Sequence, residues 1–241
     1  MYWRLAISGP DYLMHFGALL RDPVYLGRQV PRGHNQPILL IPGFLAGDWT
    51  LWTMAGWLNR LGYRAYFSGL DWNIDCPNQT GDLLQLRLDT IMQETEQPVT
   101  VIGHSLGGML GRFLGTNFPD KIRHVITLGS PIDGSMRVNP LVPLAFRGLQ
   151  TLRKKQPPRA SACGSRHCTC RFAQSMFATF PTHVGFTSIF TKQDEVVDWR
   201  ACIDAEKENW EVSGGHLSLI VNRAVYRILA STLAADAQSN T

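Results

Sequence analysis

Apolar residues along this chain fall into two patterns. Short solid runs, "QPILLIPGF" (36–44), "YRAYFSGL" (63–70), "PVTVIGH" (98–104) and "IRHVITLGSP" (122–131), read as buried strands that end in turn residues. Between them lie longer stretches with helical spacing. Residues 48–62 predict a helix with Asp48 as N-cap and Gly62 at its end, residues 80–97 a second, and "SLGGMLGRFLGTNF" a third. Leu13, Phe16, Leu19, Leu20 and Val24 mark a helical lead-in over 10–30, interrupted by Pro23. Near the C-terminus "HVGFTSIFTKQDEVVDW" is a strand running into an acidic loop, followed by "ENWEVSGGHLSLI" and the helix "VNRAVYRILASTLAADA". Strands alternating with helices predict βαβ units, a mostly parallel sheet flanked by helices, and functional groups at the carboxyl ends of the strands.

Residues 132–181 break that rhythm. Prolines, cations and cysteines replace the alternation, and an insert of this length predicts a cap or lid over the site. Length and the single alternating pattern predict one domain over 1–241, with 132–181 as its insertion.

Composition adds limits. Of 241 residues, 44% are hydrophobic and 17% charged, enough apolar material for a large core. A formal charge of +4 is too mild to point to nucleic acid, though it suits an acidic surface or anionic substrate. The N-terminus shows neither a long apolar h-region nor a small-residue cleavage pattern, and no stretch reaches the ~20 apolar residues of a membrane span, so the expected location is cytoplasmic. Five cysteines, an odd number, argue against the disulfide framework of small secreted domains.

The chemistry centres on Gly103-His104-Ser105-Leu106-Gly107, which has the form G-x-S-x-G. A serine between a strand and a helix is as readily an N-cap as a nucleophile. What favours the nucleophile is the pair of glycines, needed where a strained turn leaves no room for a Cβ. A nucleophilic serine requires a base and an orienting acid, in the chain order Ser, acid, His. His216, after the Gly-Gly of "EVSGGHLSLI", is the candidate base; a surface residue at a helix start is the plain alternative, and His167 and His183 are poorer candidates. Asp194 is the first carboxylate past its strand and the favoured acid. Asp198, which could instead cap or pair with Arg200, is the main competitor, and Glu195 is more remote. Leu106 N–H and Phe44 N–H, the latter after the Gly43 turn, are the candidate oxyanion donors. No metal and no cofactor is expected.

"LLIPGFLAG", "VIGHSLGGMLGRFL", "VITLGSPIDG", "TSIFTKQDEVVDW" and "SGGHLSLI" resemble, in order, the α/β-hydrolase superfamily, and within it the small microbial lipases and esterases and the related PGAP1-like group. The resemblance runs from about residue 37 to 225 and implies Ser105 as nucleophile, Asp194 as acid, His216 as base, and Phe44 and Leu106 as oxyanion donors. It implies a serine hydrolase acting on carboxylic esters, with acyl-chain lipid esters as substrates. An acyltransferase or thioesterase using the same acyl-enzyme is the nearest rival, and a non-catalytic binding module a rival of another class. Two features depart from the pattern: the chain opens on a helical segment where many relatives have a β-hairpin, and "GSPIDG" lacks the histidine of the family's "GSPHxG".

Arg147, Arg153, Lys154, Lys155, Arg159, Arg166 and Arg171 make the insert basic. They read as a solvated face or, with "PLVPLAF" and "FAQSMFATF" beside them, as a contact for anionic lipid headgroups or an acyl-CoA phosphate. "CGSRHCTC" lacks paired C-x2-C zinc spacing. Reduced thiols, or a disulfide tethering the insert to Cys202, are the remaining readings.

Overall fold

A computed structural model describes residues 8–135, 137–152 and 169–238. Its elements are α1 (Ser8–Leu20), β1 (Pro37–Ile41), α2 (Trp52–Arg60), β2 (Arg64–Phe67), α3 (Pro77–Thr95), β3 (Val99–His104), α4 (Leu106–Asn117), β4 (Ile122–Leu128), α5 (Leu141–Leu152), α6 (Arg171–Phe177), β5 (Gly185–Phe190), β6 (Glu208–Glu211) and α7 (Arg223–Gln238). Six strands form one sheet in the order β2-β1-β3-β4-β5-β6, and each neighbouring pair is parallel.

The solid apolar runs are the central strands. Every residue of β1 and of β3 is buried, as a strand covered on both faces requires. Trp57, Leu58, Tyr226 and Leu229 pack with Leu19 on one face, bringing together α1, α2 and α7. Leu84, Leu88, Phe113 and Leu114 pack on the other, from α3 and α4. The chain order crosses from β2 back past β1 to β3, so the strand order reverses beside β1. In such a sheet the carboxyl ends of β1 and β3 flank the crevice where ligands bind.

Local differences from the sequence expectations have physical causes. Residues 48–51 form a short 3-10 turn before α2, and Asp48 is not a cap. Its carboxylate accepts hydrogen bonds from Ser68 Oγ (2.6 Å), Gly69 N–H (2.7 Å) and Leu70 N–H (3.1 Å), tying the loop after β1 to the loop after β2. α3 starts at Pro77, whose ring suits the first helical position.

The insert divides in two. Phe172, Met176 and Phe180 are buried in the same core cluster as Phe113, which makes α6 a flanking helix of the sheet. Arg171 pairs with Asp82 Oδ1 at 2.6 Å and lies over the Phe113 ring, so this cation struts α6 against α3 and α4. α5 instead leaves Leu141 and Leu144 exposed, and its Phe146 meets Phe44 edge to face at 5.7 Å. Arg153, Lys154, Lys155, Arg159, Arg166, His167, Cys163 and Cys168 lie outside the described residues. Among those described, no helix is long and apolar enough to cross a membrane.

The cysteines depart from the tether reading. Cys202 is a free, buried thiol, and burial, followed by the nearby Asp194, Asp133 and Asp198 carboxylates, pushes its pKa up. Among the described cysteines Cys76, just before α3, is disulfide-bonded. No group of three or more His, Cys, Asp or Glu among the described residues is arranged to hold a metal.

Candidate active site

β3 ends at His104 and α4 begins at Leu106, so Ser105 alone makes the turn. Its φ of 53° and ψ of −120° are a conformation that a residue with a side chain adopts only when its surroundings over-determine it. The surroundings do so. Ser105 N–H donates to Leu128 O at 2.8 Å, and Ser105 O accepts from Gly108 N–H at 3.0 Å. A Cβ at Gly103 would overlap the Gly107–Gly108 peptide, and one at Gly107 would overlap the Ile41 carbonyl. Ser105 holds the N-cap position of α4, yet its hydroxyl makes no capping hydrogen bond. An ordinary N-cap sits in the extended region and gives its side-chain oxygen to the first turn. Ser105 does neither.

Asp194 lies on the loop after β5 and His216 on the loop after β6, both at the carboxyl edge where β3 delivers Ser105. Asp194 Oδ1 accepts from Val196 N–H (2.8 Å) and Val197 N–H (2.7 Å), which turns Oδ2 toward His216. Oδ2 lies 2.7 Å from His216 Nδ1, with the two side chains only 1% and 2% exposed. A carboxylate oxygen accepts, so Nδ1 carries the proton and Nε2 is left as the acceptor. Ser105 Oγ and His216 Nε2 make no hydrogen bond to each other here, a contact that commonly tightens only around substrate. Gly129 makes room for the pair, since a Cβ there would stand 3.2 Å from both Asp194 Oδ2 and His216 Nδ1. Asp198 is used elsewhere. It caps the turn at Trp199–Cys202 by accepting from Arg200 N–H at 3.1 Å.

The candidate oxyanion donors lie on two neighbouring segments. A Cβ at Gly43 would come 3.2 Å from Ser105 Cβ, so the loop after β1 runs beside the serine turn. Within that loop Leu45 N–H donates to Asn73 O (3.1 Å) and Ala46 N–H to Gly43 O (3.2 Å), whereas Phe44 N–H has no acceptor among the described residues. Leu106 N–H, at the first position of α4, likewise has none. Asn73 braces the loop from behind through Nδ2 to Pro42 O at 2.8 Å.

Sequence reasoning passed over two of the residues that meet here. His104 is the unspecified position of the serine motif, and its Nε2 lies 3.1 Å from His216 O. A carbonyl only accepts, so Nε2 carries the proton there. Burial, and secondarily nearness to His216, pull the His104 pKa down to about 3. This imidazole therefore stays neutral beside its neighbour, 4.7 Å away ring to ring. Glu195, weighed only as an alternative acid, accepts His216 N–H at Oε2 (3.0 Å). The only sequence signal for either was adjacency to a residue already singled out.

A family model described as the alpha/beta hydrolase fold matches residues 87–184. That match spans the Ser105 turn and stops short of Asp194 and His216. Solved structures of similar shape include the mature lipase BlEst2 of Bacillus licheniformis (17% identity, 85% of this chain and 94% of that one, TM-score 0.57). A monoacylglycerol lipase of Paleococcus ferrophilus is similar over 86% of this chain and 97% of its own, at 14% identity and TM-score 0.58. A thioesterase domain from the curacin biosynthetic pathway shares 17% identity over 85% and 93%, at TM-score 0.51. Matched motif, parallel sheet and shape agree: this chain is a protein of the α/β-hydrolase fold.

Proposed function

We propose that the protein is a serine hydrolase of carboxylic esters that works through an acyl-enzyme. The observation that carries this reading is the buried Asp194–His216 hydrogen bond of 2.7 Å, set at the sheet edge where the uncapped Ser105 turn projects. In this reading His216 Nε2 takes the Ser105 hydroxyl proton as Oγ forms a bond to the substrate carbonyl carbon. The carbonyl π-electrons move to oxygen, and the Phe44 and Leu106 amides stabilise that oxyanion. As the carbonyl re-forms, the bond to the leaving alkoxide breaks and His216 returns the proton to it. Water then repeats the sequence on the acyl-enzyme: His216 takes its proton, hydroxide adds to the carbonyl, and Ser105 Oγ leaves and is reprotonated. Asp194 holds Nδ1 and stabilises the imidazolium formed at each half-reaction. Neutral His104 adds no opposing charge next to it.

Esters with an acyl chain are the proposed substrates, and the insert's basic stretch is the proposed contact with a lipid surface. Among the described cations of the insert Arg137 is engaged with Asp133 and Arg171 with Asp82, which leaves Arg147 on α5 for that role. The same acyl-enzyme would serve a thioesterase or an acyltransferase, and the curacin thioesterase neighbour makes acyl-CoA the comparison to run. The cytoplasmic location expected from the N-terminus meets one opposing observation, the Cys76 disulfide, since such bonds persist in oxidising compartments.

Purified protein assayed on p-nitrophenyl esters of increasing chain length and on acyl-CoA, beside Ser105→Ala, tests the reading. We expect ester turnover and fluorophosphonate labelling in the natural protein, and a fall of about 10^3-fold or more in the variant. Equal turnover by both proteins would sink the assignment of Ser105. Preference for acyl-CoA would move the substrate class to thioesters.

A further inference from the structure

The loop that carries His216 is held in an unusual way. All six main-chain polar groups of Gly214, Gly215 and His216 are bonded to side chains. Their amides donate in turn to Gln193 Oε1 (2.7 Å), Asp11 Oδ2 (2.9 Å) and Glu195 Oε2 (3.0 Å). Their carbonyls accept from Thr191 Oγ1 (2.6 Å), Ser218 Oγ (2.8 Å) and His104 Nε2 (3.1 Å). A loop satisfied by a ladder takes its position from the backbone. This one takes it from side chains of α1, β3, the loop after β5 and the turn at Leu217–Val221.

Asp11 and Glu195 are the telling pair. Both carboxylates close on Gly215, one at each of the peptides that flank it: a Cβ there would lie 2.9 Å from Glu195 Oε2 and 3.3 Å from Asp11 Oδ2. Bringing two carboxylates together is costly, and consecutive amide donors offset that cost. Asp11 belongs to α1, more than two hundred positions from the amide it holds. We propose that Asp11 and Glu195 are positioning residues for His216, and that α1 is thereby a working part of the catalytic site. The proposal rests on reading His216 as the base. Its chemical content is geometric. The two carboxylates bond the main chain and not the His216 ring, whose Nδ1 goes to Asp194, so they act by setting the backbone from which the ring projects.

The test compares Asp11→Ala and Glu195→Ala with Asp11→Asn and Glu195→Gln, which keep an acceptor oxygen. On a short p-nitrophenyl ester each alanine variant should lose on the order of tenfold to hundredfold in kcat with KM nearly unchanged, because displacement of a catalytic group by a fraction of an ångström to one ångström acts on the chemical step. The amide variants should recover most of that loss. Alanine variants with full kcat, a change confined to KM, or amide variants as impaired as alanine would each overturn the proposal. Proton NMR supplies an arm without substrate: the downfield Nδ1 proton shared by His216 and Asp194 should be sharp in the natural protein and the amide variants, and broadened in both alanine variants. An unchanged signal in the alanine variants overturns the positioning role. If the natural protein hydrolysed no ester, the reading of function would fail while this arm still decided the inference.

Discussion

The serine turn and the histidine loop meet at one edge of the sheet, but they are built by opposite means. Ser105 is placed by backbone. β3 and α4 leave it one residue to turn in, Leu128 O and Gly108 N–H bond its peptide groups, and Gly103 and Gly107 remove the atoms that would collide. His216 is placed by side chains drawn from elements scattered along the chain. Backbone placement admits almost no variation, since a single added methyl meets a carbonyl. Side-chain placement is distributed, so each support is individually dispensable to some degree. The difference predicts a graded response to mutation, steep at the turn and shallow at the loop.

Gly107→Ala attacks the steep side and should have the largest effect. Its Cβ would overlap Ile41 O and crowd Pro42 O at 2.7 Å, and these are main-chain atoms of a buried strand end that cannot rotate away. We expect a stability loss of at least about 3 kcal/mol together with loss of activity, read as a lowered urea midpoint. A variant with natural stability would show that the turn tolerates a shift and would remove the contrast. Asp194→Asn should come next, with stability nearly intact and kcat lower by about 10^3- to 10^4-fold. Asn Oδ1 can keep the Val196 and Val197 amides, which leaves Nδ2 facing His216 Nδ1. A donor there turns the imidazole to the other tautomer and spoils Nε2 as a base. Steady-state kinetics at fixed pH, with a melting curve beside them, check both halves of that expectation.

The same contrast explains what could be read in the sequence. The strands β1 and β3 were legible because burial on both faces makes them solid apolar runs. Ser105 was legible because part of what constrains it is local: Gly103 and Gly107, the two glycines that make room for the turn, lie within two positions of it. His216 and Asp194 were reachable through chain order and the glycines before the histidine, although nothing in the residues alone specified their 2.7 Å contact. Asp11, Gln193 and Thr191 were not legible at all. Each looks like an ordinary polar residue until the fold brings it to Gly214–His216. Asp48 failed for a related reason. It has the look of a helix cap, but the loop at 68–70 offers its carboxylate more donors than the helix does. Tertiary partners outbid local ones, and local patterning cannot announce them.

The smallest effect, and the finest probe of the loop, is the pH dependence contributed by His104. In the unfolded chain its imidazole takes a proton near pH 6.5, whereas in the folded protein burial holds its pKa down to about 3. Between those values the unfolded state binds a proton that the native state refuses. Stability from this residue is therefore complete above about pH 6.5 and is lost as pH falls toward 3, at about 1.4 kcal/mol per pH unit. His104→Gln removes the titration while leaving an amide that can donate to His216 O. Urea unfolding at pH 7 and pH 4 should show the natural protein losing roughly 3 kcal/mol more than the variant across that interval. Parallel losses would mean that His104 reaches water and charges while folded. Where that exposure also opened the hydrogen bond to His216 O, the loop would still be held at five of its six polar groups, the three amides and the Gly214 and Gly215 carbonyls.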